Sequence, residues 1–275
     1  MTLRTISQAL DTAQKQGLDR LDTHLLLLHA LGKPETDRAW LLANDDNALP
    51  SQVTDAFDAF SQRRAAGEPL AYIVGYKEFF GLRFSVNARV LVPRPDTETL
   101  VQWALHASKS FATPNILDLG TGSGAVAIAV AHTLNCKVTA TDFSLPALSV
   151  ASDNAEQIGA NVEFLHCTWL AQVSGHYHVI ASNPPYIESN DLHLNDLAYE
   201  PLSALAAGAD GLSDIRQIIQ AAPEHLHAGG WLLLEHGYNQ ASAVCSLLIE
   251  RGFVQVQSRC DLAGVARCSG GQWAP

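Results

Sequence analysis

Residues 3–67 repeat apolar positions at helical spacing. Leu18, Leu21, Leu25 and Leu28 recur at steps of three and four residues, which is typical of an amphipathic helix with one buried stripe. A second stretch, residues 51–64, begins after a proline and carries apolar residues at similar spacing, namely Val53, Phe57 and Phe60. The pattern predicts a small bundle of short helices.

From Pro69 to Val92 the pattern changes to short β-prone runs that are separated by glycine and asparagine. The runs are residues 72–74, 78–80, 83–86 and 90–92. Such runs, bounded by turn residues, predict the strands of a hairpin. We therefore expect three parts: a helical domain at residues 1–68, a β-hairpin linker at residues 69–93, and a larger domain at residues 94–275.

Strand-like and helix-like patterns alternate beyond Asn115. The apolar runs that predict strands are residues 116–119, 138–141, 162–165, 179–182, 231–235 and 253–257. The segments between them with helical patterns are residues 125–134, 146–158, 215–225 and 240–251. This alternation predicts an α/β fold, with a mostly parallel sheet and helices on both faces. Residues 188–208 are predicted to form a long loop, and loops of that length tend to be functional.

Composition narrows the class of protein. The 275 residues are 47% hydrophobic, which favours a folded protein over a disordered one. A net charge of −11 argues against a protein held to nucleic acid by phosphate contacts or to an anionic membrane. Residues 1–31 carry no secretory signal pattern, and the apolar run at residues 25–28 is too short to span a bilayer. The five cysteines form no CxxC pair, so we expect reduced thiols, no metal site and a cytoplasmic protein.

A glycine-rich loop follows the first strand of the larger domain and opens a helix. The loop residues are Gly120, Thr121, Gly122, Ser123 and Gly124. Glycines there let the backbone turn tightly and let a ligand approach the main chain. Asp142 ends the next strand, where a carboxylate can accept both hydroxyls of a ribose. This order predicts a nucleoside cofactor, and it suits a dinucleotide as well as a nucleoside with an amino-acid tail, such as S-adenosylmethionine.

The tetrad Asn183, Pro184, Pro185 and Tyr186 closes the fourth strand. Ligand sites in open α/β sheets lie beyond the carboxyl ends of the strands, so Asn183 should project into the same crevice as the glycine loop. The prolines remove two amide donors, which leaves the Asn183 side-chain oxygen and the Pro184 carbonyl as acceptors. Two convergent acceptors hold a planar NH2 group, and the Tyr186 ring can stack on its flat face. The tetrad therefore predicts a site for a planar amide or amino group.

The glycine loop and the tetrad together resemble the class I S-adenosylmethionine-dependent methyltransferases that modify planar nitrogens. That group includes DNA adenine N6-methyltransferases and protein glutamine N5-methyltransferases. Further segments resemble the PrmC/HemK family, namely residues 67–73, 78–80, 91–98, 200–202 and 234–237. The resemblance implies a Rossmann-like methyltransferase domain preceded by a helical domain that helps to hold the substrate protein. It also implies methylation of the glutamine amide in the Gly-Gly-Gln motif of peptide chain release factors.

The resemblance further implies roles for single residues. The glycine loop and Asp142 would hold S-adenosylmethionine, the Trp169 ring would lie by the adenine, and Asn183 would contact both the methionine end and the substrate amide. The tetrad would form the substrate clamp, and its residues implied as catalytic are Asn183, Pro184 and Tyr186. Thr168 departs from the pattern, since many relatives carry an acidic residue there. The expected partner is a release factor, with no direct nucleic acid, no membrane and a monomeric chain.

Three other functions remain open from the sequence. A DNA adenine N6-methyltransferase would use the same chemistry, but the net charge and the lack of a basic target-recognition domain count against it. A nicotinamide-dependent oxidoreductase explains the glycine loop and Asp142 and leaves the tetrad unused. A non-catalytic module that senses the cofactor would bind it without methyl transfer.

Several smaller features receive simpler interpretations. The chain carries its own Gly-Gly-Gln at residues 270–272, which we interpret as a coincidence. His236 is expected to be structural, and Phe79 and Phe80 are expected to lie in the hairpin core. Arg94 stands between two prolines and is expected either to bind a ligand or to join the domains.

Overall fold

The computed structural model describes residues 4–275, so the expectations that begin at residue 1 or at Leu3 fall partly outside the described residues. The chain divides into two compact units, residues 1–75 and residues 76–275. Within residues 4–275, no helix combines the length and the apolar character that crossing a membrane requires.

The first unit is helical, as predicted. Its helices are α1 (Ile6–Lys15), α2 (Arg20–Ala30), α3 (Arg38–Ala43), α4 (Ser51–Ala65) and α5 (Leu70–Val74). The predicted buried stripe on α2 is wrong, because Leu21 is 46% exposed while the consecutive residues Leu26, Leu27 and Leu28 are fully buried. Helix α2 packs against the four other helices, so it buries more than one stripe.

The predicted strand at residues 72–74 is also wrong, since these residues belong to helix α5, which ends where Gly75 adopts a φ of +85°. A short apolar run fits either structure, and periodicity cannot separate the two. The hairpin consists of β1 (Tyr76–Phe79) and β2 (Leu82–Ser85), which pair antiparallel. Phe79 is buried against Phe84 in its core. Residues 90–92 form no strand, and the Val92 amide donates to the Glu200 carboxylate (3.0 Å).

The second unit contains a seven-stranded sheet in the order β5-β4-β3-β6-β7-β9-β8. Its helices and strands are α6 (Glu98–Ser108), β3 (Ile116–Leu119), α7 (Ala125–Leu134), β4 (Val138–Asp142), α8 (Leu145–Ile158), β5 (Val162–His166), β6 (Tyr177–Ser182), α9 (Ser213–Ala221), β7 (Leu226–Glu235), α10 (Ala241–Arg251), β8 (Phe253–Cys260) and β9 (Ala266–Trp273). In this sheet order, β5, β4, β3, β6 and β7 are parallel to their neighbours. Strand β9 pairs antiparallel with β7 on one side and with β8 on the other. The predicted α/β class is confirmed, and the long loop contains short 3-10 turns at Leu192–Leu197 and Leu202–Ala204.

Two elements were not predicted, helix α6 and strand β9. Strand β9 contains the Gly-Gly-Gln sequence, and glycines weaken a strand pattern. A Cβ atom on Gly270 would lie 2.6 Å from the Leu232 carbonyl oxygen, so the glycine permits close backbone approach. The Gln272 amide donates to the Gly229 carbonyl oxygen (2.7 Å) and accepts from Gln255 (2.8 Å). Gln272 is therefore engaged within its own sheet, in agreement with a coincidental motif.

Strand register brings the site residues to one edge of the sheet. Leu119 pairs with Thr141 on one side and with Ser182 on the other, and Ser182 pairs with Leu234. The residues that follow these positions are the glycine loop, Asp142, Asn183 and Glu235. Because parallel strands end together, these four groups become neighbours at the carboxyl edge, where ligands bind in open α/β sheets.

Candidate active site

The glycines of the loop are required for two different reasons. Gly120 has a φ of +69°, and a Cβ atom there would lie 3.0 Å from the Trp169 ring. Gly124 has a φ of +85°, and a Cβ atom there would lie 2.5 Å from the Ile128 side chain. Gly120 therefore lets the indole ring of Trp169 lie close to the loop backbone, whereas Gly124 permits close packing at the start of α7.

Two carboxyl groups hold the glycine loop and its flanking residues by hydrogen bonds. Asp118 is buried and accepts hydrogen bonds from the Thr121 hydroxyl (2.6 Å) and the Ala127 amide (3.2 Å). Asp142 accepts from the amides of Gly122 (2.9 Å) and Ser144 (2.8 Å), one at each oxygen. Asp142, which is predicted to bind a ribose, therefore also holds the glycine loop in place by hydrogen bonding.

Burial raises the pKa of Asp118 to about 7, although its hydrogen bonds from Thr121 and Ala127 act in the opposite direction. Burial also raises the pKa of Asp142, against the hydrogen bonds that it receives from Ser144 and Gly122. A protonated Asp118 can still accept hydrogen bonds, so it supports the loop at pH values below and above its pKa.

The raised pKa of Asp118 makes stability depend on pH. An unfolded aspartate has a pKa of about 3.9, so between about pH 4 and pH 7 the folded state holds a proton that the unfolded state has released. We therefore expect the free energy of unfolding to fall as pH rises through this window. Denaturant titrations of Asp118→Asn from pH 4 to pH 8 should show a shallower fall than the unmodified protein, and equal slopes would contradict the assignment.

A cavity of about 110 Å³ opens at this edge of the sheet. The residues predicted to bind the cofactor that line it are Gly120, Thr121, Gly122, Ser123, Asp142, Trp169 and Asn183. Gly124 does not line the cavity, in agreement with its packing role. Pro185 contributes to the wall, whereas Pro184 is buried and does not.

Trp169 forms one side of the cavity in an uncommon backbone conformation. Its φ is +47°, which bulky residues rarely adopt. Its carbonyl oxygen accepts a hydrogen bond from the Thr141 hydroxyl (3.2 Å). Strained residues of this kind cluster at functional sites, where the surrounding structure holds them. Thr168, in contrast, is exposed and does not line the cavity.

The cavity also has walls that sequence reasoning did not identify. They include Arg89, Val90, Leu91, Thr97, Asp118, Val126, Phe143, Ser144, Ala147, Pro201, Ser203 and Ala204. Phe143 directly follows Asp142 and is 51% exposed, so an apolar residue after the acid is a signal that could have been used. Arg94 lines the cavity as well and forms an ion pair with Glu200, a partner within its own unit.

A smaller cavity of about 70 Å³ lies next to the first. The two cavities share the wall residues Leu91, Arg94, Asn183 and Ala204, and the smaller one is completed by Tyr186, Ile187, Leu197 and Leu205. Asn183 therefore stands between a cavity beside the glycine loop and a cavity beside the Tyr186 ring.

The orientation of Asn183 is set by Thr97, at the start of α6. The Asn183 Nδ2 atom donates a hydrogen bond to the Thr97 hydroxyl oxygen (3.3 Å). In a planar carboxamide the Oδ1 atom then lies on the side away from Thr97, where it can accept from a bound group. Helix α6 packs on β6 and β7, so the sheet fixes the position of Thr97.

Glu235 is a buried carboxyl group that sequence reasoning did not single out. It ends the apolar strand β7 and is 1% exposed. Burial raises its pKa to about 7, and the nearby Asp96 carboxylate acts in the same direction. Burial and the charge of Glu235 raise the pKa of Tyr186, so this phenol keeps its proton. A glutamate at the end of a buried apolar strand is the signal that could have revealed it.

His236, the next residue, stabilises the sheet. It is fully buried, its Nδ1 atom donates to the Gly237 carbonyl oxygen (2.9 Å), and its Nε2 atom accepts from the Ser269 hydroxyl (2.8 Å). Burial lowers the pKa of His236, which keeps the ring neutral. These bonds agree with the predicted structural role.

Comparison with known proteins agrees with this architecture. Residues 2–75 match the family model of the PrmC N-terminal domain, and residues 96–261 match that of the methyltransferase small domain. The solved structure of a methyltransferase from Pyrococcus furiosus has the same fold, with a TM-score of 0.54 and 22% identity over 79% of this chain and 100% of that chain.

Relatives with much higher identity extend over nearly the whole chain. The release factor glutamine methyltransferase of Bordetella pertussis is 45% identical over 268 residues, which cover 95% of this chain and 97% of the relative. That of Pseudomonas aeruginosa is 46% identical over 260 residues, 93% of each chain. Both the family models and these relatives place the chain in the PrmC family, that of the release factor glutamine methyltransferases.

Proposed function

We propose that this protein transfers a methyl group from S-adenosylmethionine to the side-chain amide nitrogen of the glutamine in the Gly-Gly-Gln motif of peptide chain release factors. The observation that carries the proposal is the place of Asn183 between two cavities, with its Nδ2 atom bound to Thr97. An amide oxygen at that point can accept a hydrogen bond from a carboxamide NH2 group.

The larger cavity fits S-adenosylmethionine. Trp169 lines the cavity, and its indole ring packs against the loop at Gly120, so the ring can offer a flat apolar surface to adenine. Asp142 retains free lone pairs for ribose hydroxyls after accepting one amide at each oxygen. Asp118 lines the same cavity and offers a carboxyl oxygen to an ammonium group. When bound, S-adenosylmethionine supplies an electrophilic methyl group on a sulfonium.

The residues of the tetrad would align the substrate amide nitrogen with the methyl group of the cofactor. An amide nitrogen is a poor nucleophile, because its lone pair is delocalised into the carbonyl. Asn183 Oδ1 and the Pro184 carbonyl would accept the two amide hydrogens, and the Tyr186 ring would pack on the flat face of the group. These acceptors stabilise the positive charge that develops on the hydrogens, which is electrostatic preorganisation. Asn183 cannot act as a base, so the amide proton would leave to water after transfer.

The proposal extends to the domains and the setting of the protein. The helical domain predicted at residues 1–68 would help to hold the release factor, and the predicted linker at residues 69–93 would connect it to the catalytic domain. The five cysteines are all free thiols in the structure, which supports a reducing cytoplasm. We propose that a single chain acts on the release factor, without nucleic acid or membrane.

The proposed function is tested by incubating the protein with S-adenosylmethionine and a release factor. Tandem mass spectrometry should locate a single added methyl group on the side-chain amide of the Gly-Gly-Gln glutamine. A release factor with alanine in place of that glutamine is the matched control and should remain unmodified. Methylation of duplex DNA in a parallel reaction, with none on the release factor, would instead favour the adenine N6-methyltransferase.

A further inference from the structure

We propose that Glu200 is a positioning residue, which ties two distant chain segments together so that both cavities keep their shape. This inference rests on the proposed function, because these cavities are the sites that would hold S-adenosylmethionine and the glutamine side chain. Glu200 lines neither of the two cavities, so it would act without touching the cofactor or the substrate.

The two segments are residues 89–94 and the long loop at residues 188–208. Leu91 and Arg94 of the first segment each line both cavities, and so does Ala204 of the loop. A shift of the loop relative to residues 89–94 would therefore change the shape of the two cavities together.

The loop has little regular structure of its own. Its base is closed by hydrogen bonds from the Ile187 amide to the Leu205 carbonyl oxygen (2.9 Å) and from the Ser189 amide to the Gly208 carbonyl oxygen (2.8 Å). Most residues between these two bonds are exposed, and segments with few buried contacts open easily. Glu200 is the exception, since it is 6% exposed. It is therefore a point at which the loop is attached to the protein.

Both carboxyl oxygens of Glu200 bind the other segment. Oε2 accepts a hydrogen bond from the Val92 amide (3.0 Å), and Oε1 accepts one from the Arg94 guanidinium in an ion pair. Val92 is 4% exposed and belongs to no strand, so its amide needs an acceptor within the protein, and Glu200 supplies it. Hydrogen bonds to an ionised carboxylate are stronger than those between neutral groups. One side chain thus joins the loop to a segment 108 residues earlier in the chain.

Hydrogen bonds also lead from Glu200 toward the proposed substrate clamp. Arg94, which Glu200 holds by its side chain, accepts a hydrogen bond from the Thr97 amide with its carbonyl oxygen (3.1 Å). The Thr97 hydroxyl in turn accepts from Asn183 Nδ2 (3.3 Å). A displaced Arg94 would therefore disturb the turn that orients Asn183 as well as the cavity walls. Such support around a site keeps its geometry precise enough for catalysis.

Glu200→Gln is the substitution that tests this role with the least change in shape. A carboxamide has one oxygen, so it can accept from Val92 or from Arg94 but not from both, and its NH2 group then faces the other donor. A buried donor without an acceptor is costly. We therefore expect the loop to be held less firmly against residues 89–94 in this variant.

The test measures S-adenosylmethionine affinity by calorimetric titration and the kcat for methylation of a release factor, at a temperature where every variant is folded. Glu200→Gln should weaken the affinity about tenfold and lower kcat about tenfold, within the scale of a small misplacement of binding groups. Glu188→Gln is the matched control, because it makes the same change at an exposed residue of the same loop. It should leave both quantities unchanged.

Coupling and hydrogen exchange separate positioning from general damage. Arg94→Met keeps an unbranched side chain in the cavity walls and removes the guanidinium. In that background Glu200→Gln should have little further effect, because its one oxygen still serves the Val92 amide. Hydrogen exchange of residues 190–204, measured by mass spectrometry, should accelerate in Glu200→Gln but not in Glu188→Gln.

The outcomes distinguish this inference from the proposed function. If the unmodified protein methylates no release factor, the proposed function fails, and cofactor affinity and hydrogen exchange still decide whether Glu200 holds the two segments. If Glu200→Gln keeps the cofactor affinity and the kcat of the unmodified protein, the positioning role is wrong, even where the melting temperature falls.

Discussion

Replacing Asn183 with alanine is expected to lower the rate of glutamine methylation by about 10³-fold, the scale seen when a preorganised polar group is removed from a transition state. The substitution removes the oxygen that would accept an amide hydrogen as positive charge develops. Asn183 is half-buried and makes one side-chain hydrogen bond, to Thr97, so the melting temperature should change little. Single-turnover assays at saturating cofactor, with thermal unfolding as the control, measure both quantities.

Three possible results would separate the roles of Asn183. A loss of turnover at an unchanged melting temperature, with cofactor affinity reduced only a few-fold, agrees with a role in aligning the substrate. Turnover close to that of the unmodified protein would remove the tetrad from the mechanism. A large loss of cofactor affinity with normal turnover at saturation would make Asn183 a cofactor ligand only.

Gly120→Ala is expected to weaken the binding of S-adenosylmethionine by roughly 10- to 100-fold. A Cβ atom would lie 3.0 Å from the Trp169 ring, at a backbone φ of +69°. The ring would have to move into the cavity, and forcing extra volume into a packed site costs about 1–3 kcal/mol, which corresponds to that range of affinity. Calorimetric titration with the cofactor measures the change.

Gly159→Ala is the matched control for Gly120→Ala. Gly159 has a φ of +76° at the end of α8, so alanine there meets the same kind of backbone strain, but no atom lies within 4 Å of its Cβ position. Both variants should lose some stability, and only Gly120→Ala should lose cofactor affinity. Equal affinities in the two variants would show that the position of the Trp169 ring against Gly120 does not affect cofactor binding.

The central strands and helices of the second unit could be predicted because each pattern had a single interpretation. Residues 125–134 were predicted as a helix, and α7 covers the same residues; the strand at 116–119 agrees equally well. The apolar run at residues 72–74 was different, since five residues of α5 satisfy both a strand and a helix pattern. Strand β9 was missed because its glycines serve close packing against neighbours, a property that appears only in the folded sheet.

The candidate site divides in the same way. The glycine loop and the tetrad are each a contiguous motif that follows a predicted strand, so the sequence indicated that both lie at one crevice. Thr97 and Glu235 lie 86 and 52 residues away from Asn183, on either side of it, and only the pairing of β6 with β7 and the packing of α6 bring the three together. No local pattern could have revealed that Thr97 accepts a hydrogen bond from the Asn183 amide.

A crystal structure of the protein with S-adenosylhomocysteine and a Gly-Gly-Gln peptide would test the central claim most directly. We expect the glutamine side chain to occupy the smaller cavity, with its nitrogen within hydrogen-bond distance of Asn183 Oδ1 and the Pro184 carbonyl oxygen, and with the Tyr186 ring against its face. A glutamine bound elsewhere, or a Tyr186 ring that closes the cavity to it, would contradict the proposed mechanism.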